Sequence, residues 1–184
     1  MMTNRTPRST RRPVLHLPPS PLEIALIGAA ALGMIALILP LALAWQALPA
    51  TVPSHFGFSG RPDAYSGKDA LLILPIIAIA ITALISALLP YPHLFNYPVQ
   101  ITPENAATQY RFGRGLLLAL NAVVVWVFAL IGWSAIQVAQ GRVAGLPSWF
   151  GALGIALAVA LPIGVISLIV ILARRGNRRP PPGV

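Results

Sequence analysis

No cysteine occurs anywhere in the 184 residues. Disulfides and thiolate metal sites are excluded, and the redox compartment leaves no mark on the chain. Charge is nearly as scarce: 9% of the residues carry it, and only Glu23, Asp63, Asp69 and Glu104 are acidic. A soluble domain is about a quarter charged, so a chain this poor in charge cannot cover a water-facing surface. The centres of the long apolar runs hold no Asp, Glu, Lys, Arg or His, the groups on which proton relays and ion pathways depend. A Gly-flanked nucleophile elbow is also missing.

What is present is apolar. Hydrophobic residues make up 57% of the chain and the mean hydropathy is +0.77, which points to the bilayer as solvent. The formal net charge is +9, but eight of the thirteen basic residues, Arg5, Arg8, Arg11, Arg12, Arg174, Arg175, Arg178 and Arg179, sit in two tails flanking apolar runs. That distribution marks cytoplasmic flanks facing anionic headgroups, at roughly 1 kcal/mol of attraction per Arg. No aromatic-basic interleaving accompanies it, so nucleic acid is not an expected partner.

Residues 1–19 read as a disordered basic arm rich in Arg, Pro, Ser and Thr. Ser20-Pro21-Leu22-Glu23 is a capping signature that starts a helix at Pro21. The uncharged run that follows is long enough to cross about 30 Å of hydrocarbon. Ala42-Leu43-Ala44 looks like a signal-peptidase box, but the apolar run is longer than a signal peptide's core. A second capping signature, Ser66-Gly67-Lys68-Asp69, precedes the next span. Pro75 lies too deep for a first-turn proline, so that helix either kinks or starts later. Pro90 to Gln100 is a connector, and Thr102-Pro103-Glu104-Asn105 is a third helix start with proline in the first position.

These signals give an all-α fold: a four-helix membrane bundle over 20–173, with spans at about 21–45, 70–89, 115–139 and 149–173. Residues 174–184 form a second disordered basic tail. Lysine and arginine counts put both termini and the second connector in the cytoplasm, leaving the loop between helices 1 and 2 outside. Helices in lipid associate through close packing and polar contacts. Ala29 with Gly33 and Gly115 with Ala119 are small residues four apart that would permit it, and Asn121 and Gln137 are candidate interhelical polar groups.

The loop Leu48–Lys68 concentrates the chemistry. His55, Phe56, Gly60, Arg61, Pro62, Asp63, Tyr65 and Lys68 are its candidate ligand-binding residues. Arg61-Pro62-Asp63-Ala64 resembles a turn with proline at its second position. His55, Asp63 and a loop serine invite a nucleophilic triad, yet their spacing matches no recognised signature. His16 and His93 belong on the opposite side of the membrane, so His55 and Asp63 would supply only two metal ligands, below the usual three or four. No cofactor, metal or enzymatic activity is expected. The content of Gly, Pro and aromatic residues implies a compact outer cap.

Leu48-Pro49, Pro53, His55-Phe56, Gly60, Pro62-Asp63, Tyr65 and Ser66 to Lys68 resemble the pattern of the bacterial membrane family called domain of unknown function 1648. Asn96-Tyr97-Pro98, Ile101-Thr102, Glu104-Asn105 and Tyr110 resemble the passage that follows in such proteins, so the resemblance runs from Trp45 to Trp133. It implies a multi-pass bacterial plasma-membrane protein. The same domain forms the first part of proteins giving immunity to the sporulation-delaying toxin, which also sequester a cytoplasmic repressor. The resemblance therefore suggests toxin immunity or signalling, with a secreted peptide or a cytoplasmic regulator as partner. The expected function is a non-enzymatic membrane module binding an extracytoplasmic ligand or protein. The alternative is a small transporter or accessory membrane subunit using Asn121 and Gln137.

Overall fold

The computed structural model describes residues 12–152 and 154. Three helices dominate it: α1 (Pro21–Ala44), α2 (Ile73–Leu88) and α3 (Ala106–Ala139). With the 3₁₀ turns Trp45–Ala47 and Lys68–Leu72 extending the first two, all three are long and apolar enough to cross a membrane. The chain is a membrane protein on that ground. The fourth expected span falls on described residues only at 149–152 and 154, where the chain is helical. The rest of it and the tail 174–184 lie outside the described residues.

Each helix start has a local cause. At α1 the Ser20 hydroxyl accepts the Glu23 amide at 3.3 Å, and the Glu23 carboxylate accepts the Ser20 amide at 2.6 Å, so two orphan donors are satisfied reciprocally. The capping signature expected at Ser66 does not form. The Ser66 hydroxyl donates to Ser54 Oγ instead, and a 3₁₀ turn intervenes before α2 begins at Ile73. Pro75 thereby becomes the third helical residue, inside the first turn, where no intrahelical amide bond is lost. The third helix also starts later than expected, at Ala106 rather than Pro103. Asn105 Oδ1 accepts the Thr102 amide at 2.9 Å and its Nδ2 donates to the Gln100 carbonyl at 2.9 Å, which holds 102–105 as a turn ahead of the helix.

The loop between α1 and α2 is not helical or irregular but a β-hairpin, so the all-α expectation is corrected there. Strand β1 (Thr51–Phe56) pairs antiparallel with β2 (Pro62–Gly67). Register irregularities between Pro53 and His55 and between His55 and Phe56 break the two-residue alternation that would have announced a strand.

Helices α1 and α3 run in the same direction. Their contacts climb together: Glu23 with Arg114, Ala29 with Trp126, Leu37 with Gly132. A Cβ at Gly33 would lie 3.0 Å from Val125 Cγ1 and 3.2 Å from Trp126, so this glycine sets the approach of the two helices. Gly115 has open space instead. Helix α2 runs the other way and meets α3 through Thr82, whose hydroxyl donates to Asn121 Oδ1 at 3.0 Å. Leu37, Ala78, Val125 and Ala129 form the core between the helices. A second core, Leu41, Leu48, Val52, Leu71, Ala135 and Ile136, lies under the hairpin.

The opposite end of the bundle holds a strap. Residues 12–19 belong to the arm read as disordered, yet they have a defined course there. Tyr110 donates to the Pro13 carbonyl at 2.8 Å, Arg114 to that of Leu17 at 2.8 Å and Arg111 to that of Pro18 at 3.4 Å. Arg12 donates to the His93 carbonyl at 3.1 Å and lies over the Tyr97 ring, 5.7 Å from its centroid. Composition predicted disorder because the arm has little to bury; its backbone carbonyls supply the ordering contacts instead. Residues 1–11 lie outside the described residues.

Candidate binding hairpin

The hairpin turns at Gly57–Gly60. The Gly60 amide donates to the Gly57 carbonyl at 2.8 Å, and the Gly57 amide donates to the Arg61 carbonyl at 2.9 Å. Gly60 has φ +74°, a left-handed conformation that only glycine enters without steric cost. The turn expected at Arg61–Ala64 thus forms four residues earlier, and Pro62 to Ala64 are strand. Pro62 stands opposite Phe56 as the first residue of β2, a position that needs no ladder amide.

One face of the hairpin is committed to the fold. Val52 is fully buried against the helix ends, and Phe56, half-buried, packs on the same cluster. The tip is fixed as well. The Leu146 amide, in the link after α3, donates to the Gly60 carbonyl at 2.8 Å. A Cβ at Gly145 would overlap that same carbonyl, so glycine there is what permits the docking. The base is held by Lys68, whose amide donates to the Ala50 carbonyl at 3.2 Å and whose ammonium lies 4.9 Å from the centroid of the Trp45 ring.

Strand β2 is free. From Asp63 to Gly67 every residue of β2 is exposed, Tyr65 at 58%. His55 and Asp63, eight residues apart, meet across the strands: Nδ1 lies 2.6 Å from Oδ1. A carboxylate only accepts, so Nδ1 carries the proton and Nε2 remains available at the surface. Gly57 leaves room for this pair, since a Cβ there would stand 2.9 Å from Asp63 Oδ2. Arg61 is exposed beside the tip, its amide 3.4 Å from Ser59 Oγ. Phe58, fully exposed, crowns the tip. It was not among the expected site residues; an aromatic flanked by two turn glycines was the signal for it.

The structure therefore brings His55, Asp63, Arg61 and Tyr65 to one exposed hairpin, with Gly60 and Pro62 shaping it. Phe56 and Lys68 face its supports. Asn121 and Gln137 lie on α3, away from the hairpin's free strand. Asn121 is buried and engaged with Thr82, while Gln137 lines clefts beside α3. Of the three hairpin serines, Ser54 and Ser66 bond to each other at 3.0 Å and Ser59 Oγ meets the Arg61 amide; none hydrogen-bonds to His55 among the described residues, so no nucleophilic triad is assembled. This surface presents an aromatic tip, a cation, and an imidazole-carboxylate pair.

Residues 31–79 match the family model described as "Domain of unknown function (DUF1648)". The match takes in the second half of α1, the whole hairpin and the start of α2. The resemblance read from the hairpin residues is borne out over that part; the connector passage from Asn96 to Tyr110 lies beyond it. An "Uncharacterized protein" of Archaeoglobus fulgidus is 38% identical over 96 residues, which is 46% of this chain and 52% of that protein. The chain thus spans about half the length of this relative. No solved structure matches.

Proposed function

We propose that this chain is a non-enzymatic membrane module that holds its hairpin outside the cytoplasm and binds an extracytoplasmic ligand or partner protein with it. The observation that carries the reading is the contrast between the fixed part of the hairpin and its free part. Val52 is buried, the Gly60 carbonyl is docked on Leu146, and yet Phe58 and Tyr65 are left in solvent. A rigid aromatic presented in advance loses little entropy on binding, and aromatic and arginine side chains are the usual anchors of interfaces. His55, Arg61, Asp63 and Tyr65 would carry recognition together with Phe58 at the tip, while Phe56, packed on the core, would hold the hairpin in place. The membrane setting, and the resemblance of the hairpin residues to the first part of toxin-immunity proteins, favour an immunity or signalling role with a secreted peptide as ligand.

The test is a photo-crosslinking residue placed at Phe58 in living cells. A discrete adduct that disappears with His55→Ala or Asp63→Ala, at unchanged protein level, supports recognition by the hairpin. If both substitutions instead deplete the protein, these residues only hold the fold. If no adduct forms at Phe58 or Tyr65, the binding reading is lost.

A further inference from the structure

A groove runs between α1 and α3 toward the hairpin end of the bundle. Its inner part, about 270 Å³, is walled by Ala36 and Pro40 of α1 and by Trp126, Leu130 and Trp133 of α3, and it is apolar. Its outer part, about 300 Å³, shares Pro40 and Trp133 and ends in Gln137, Gln140 and Arg142. Trp126 and Trp133 are each about half exposed, at 48% and 49%. The Trp126 indole is held in place, because its N–H donates to the Ala29 carbonyl at 3.0 Å.

The polar end is underused. Gln140 Oε1 is buried without a hydrogen-bond partner. Arg142 makes no side-chain hydrogen bond or ion pair among the described residues. No carboxylate pairs with it among the described residues: Glu23 pairs with Arg114, Asp63 with His55, Asp69 lies exposed in the turn before α2 without an ion pair, and Glu104 stands at the far end of the bundle. An apolar groove in the membrane that terminates in a free guanidinium and an unpaired carbonyl has the polarity of a lipid molecule. We propose that it holds one acyl chain of an anionic phospholipid, with the phosphate against Arg142 and a headgroup hydroxyl donating to Gln140 Oε1. A choline headgroup offers no donor to that oxygen and no net charge to the arginine. The occupant is distinguished from ordinary surrounding lipid by this headgroup preference.

The two groove tryptophans report occupancy directly. The full chain carrying Trp45→Phe and Trp149→Phe is placed in phosphatidylcholine vesicles containing a low mole fraction of brominated phosphatidylglycerol or, separately, brominated phosphatidylcholine. Bromine quenches indole on contact. The expected result is that phosphatidylglycerol quenches at about five-fold lower mole fraction, the factor that follows from roughly 1 kcal/mol for one arginine. Arg142→Gln should bring the two lipids level, and inorganic phosphate should leave the preference unchanged. Equal quenching by both lipids, or none by either, overturns the proposal. So does a preference that survives Arg142→Gln, or one that inorganic phosphate removes. Native mass spectrometry of the unsubstituted chain reads the same question without the tryptophan changes. Retention of one phosphatidylglycerol where phosphatidylcholine is shed supports the site, and equal shedding of both overturns it.

Discussion

Glu23 of α1 and Arg114 of α3 face each other at 3.0 Å, Oε1 to Nε, with the carboxylate side chain 1% exposed. The contact is an ion pair rather than an aligned hydrogen bond, since neither atom meets a hydrogen-bond partner. Glu23 also caps its own helix and Arg114 also holds the Leu17 carbonyl. One pair therefore joins the helix start, the strap and the α1–α3 interface. Removing one member of a buried pair costs about 3–5 kcal/mol, because the other is left unpaired. Arg114→Met should lower the apparent melting temperature in detergent by on the order of ten degrees. The double change Glu23→Gln with Arg114→Met should lower it less than the sum of the single changes.

Gly33 controls the approach of α1 to α3. Gly33→Leu should destabilise by about 1–3 kcal/mol through overpacking against Val125 and Trp126. Gly28→Leu, on the same helix with nothing within 4 Å of its Cβ position, should change stability little. Thermal melts of the two variants side by side check this.

Gly57 protects the His55–Asp63 pair. A methyl there would meet Asp63 Oδ2 at 2.9 Å, and the carboxylate can yield only by moving. Gly57→Ala should therefore leave the hairpin paired but weaken the bond to Nδ1. Nitrogen NMR of the imidazole would show the Nδ1-protonated tautomer losing population. An unchanged tautomer would mean that Asp63 shifts without releasing His55.

Tyr97 lies in the connector after α2, half-buried, with its hydroxyl donating to the Pro92 carbonyl at 2.8 Å. Burial, and secondarily the neighbouring Tyr110, push its pKa up to about 12, against a smaller lowering by Arg12. The neutral phenol is the form the fold prefers. Its contribution is complete below pH 10, the ordinary tyrosine value, and is lost as the pH rises toward 12. Tyrosinate absorbance should show a late-ionising fraction that Tyr97→Phe removes. The connector should loosen only in that alkaline window.

Arginine and lysine placement predicts a hairpin outside and a strap inside. The absence of cysteine makes this easy to check. Ser59→Cys should react with a membrane-impermeant maleimide on intact cells, and Thr108→Cys only after lysis; both positions are exposed. The reverse pattern would place the hairpin in the cytoplasm and redirect the search for its partner.

The helices were legible because their signals are local. Ser20 and Glu23 announce a helix start within four residues, and Pro75 left a kink or a late start to α2, of which the late start is what forms. The hairpin was not legible as strands. Its irregular register erases alternation, and Gly and Pro read as loop. The candidate residues could be picked out by type, but their arrangement depends on contacts remote in sequence. Nothing near His55 indicates that Asp63 will reach its Nδ1, and nothing near Gly60 indicates that Leu146 will hold its carbonyl. The Glu23–Arg114 pair was missed for the same reason: each residue had a sufficient local explanation, as a cap and as an interfacial cation. Asn121 was legible because a buried amide in lipid must find a partner, and Thr82 is that partner.

The strap along Tyr110, Arg111 and Arg114 is gripped by the carbonyls of Pro13, Leu17 and Pro18, not by their side chains. Every residue type has a carbonyl. The tether thus reads spacing and ignores identity: exchanging residues at these positions leaves each acceptor in place, whereas inserting or deleting one residue between Pro13 and Leu17 puts the acceptors out of step with the donors. At these three positions composition can drift while the length between them is held constant; Arg12, which binds through its side chain, stands apart from that rule.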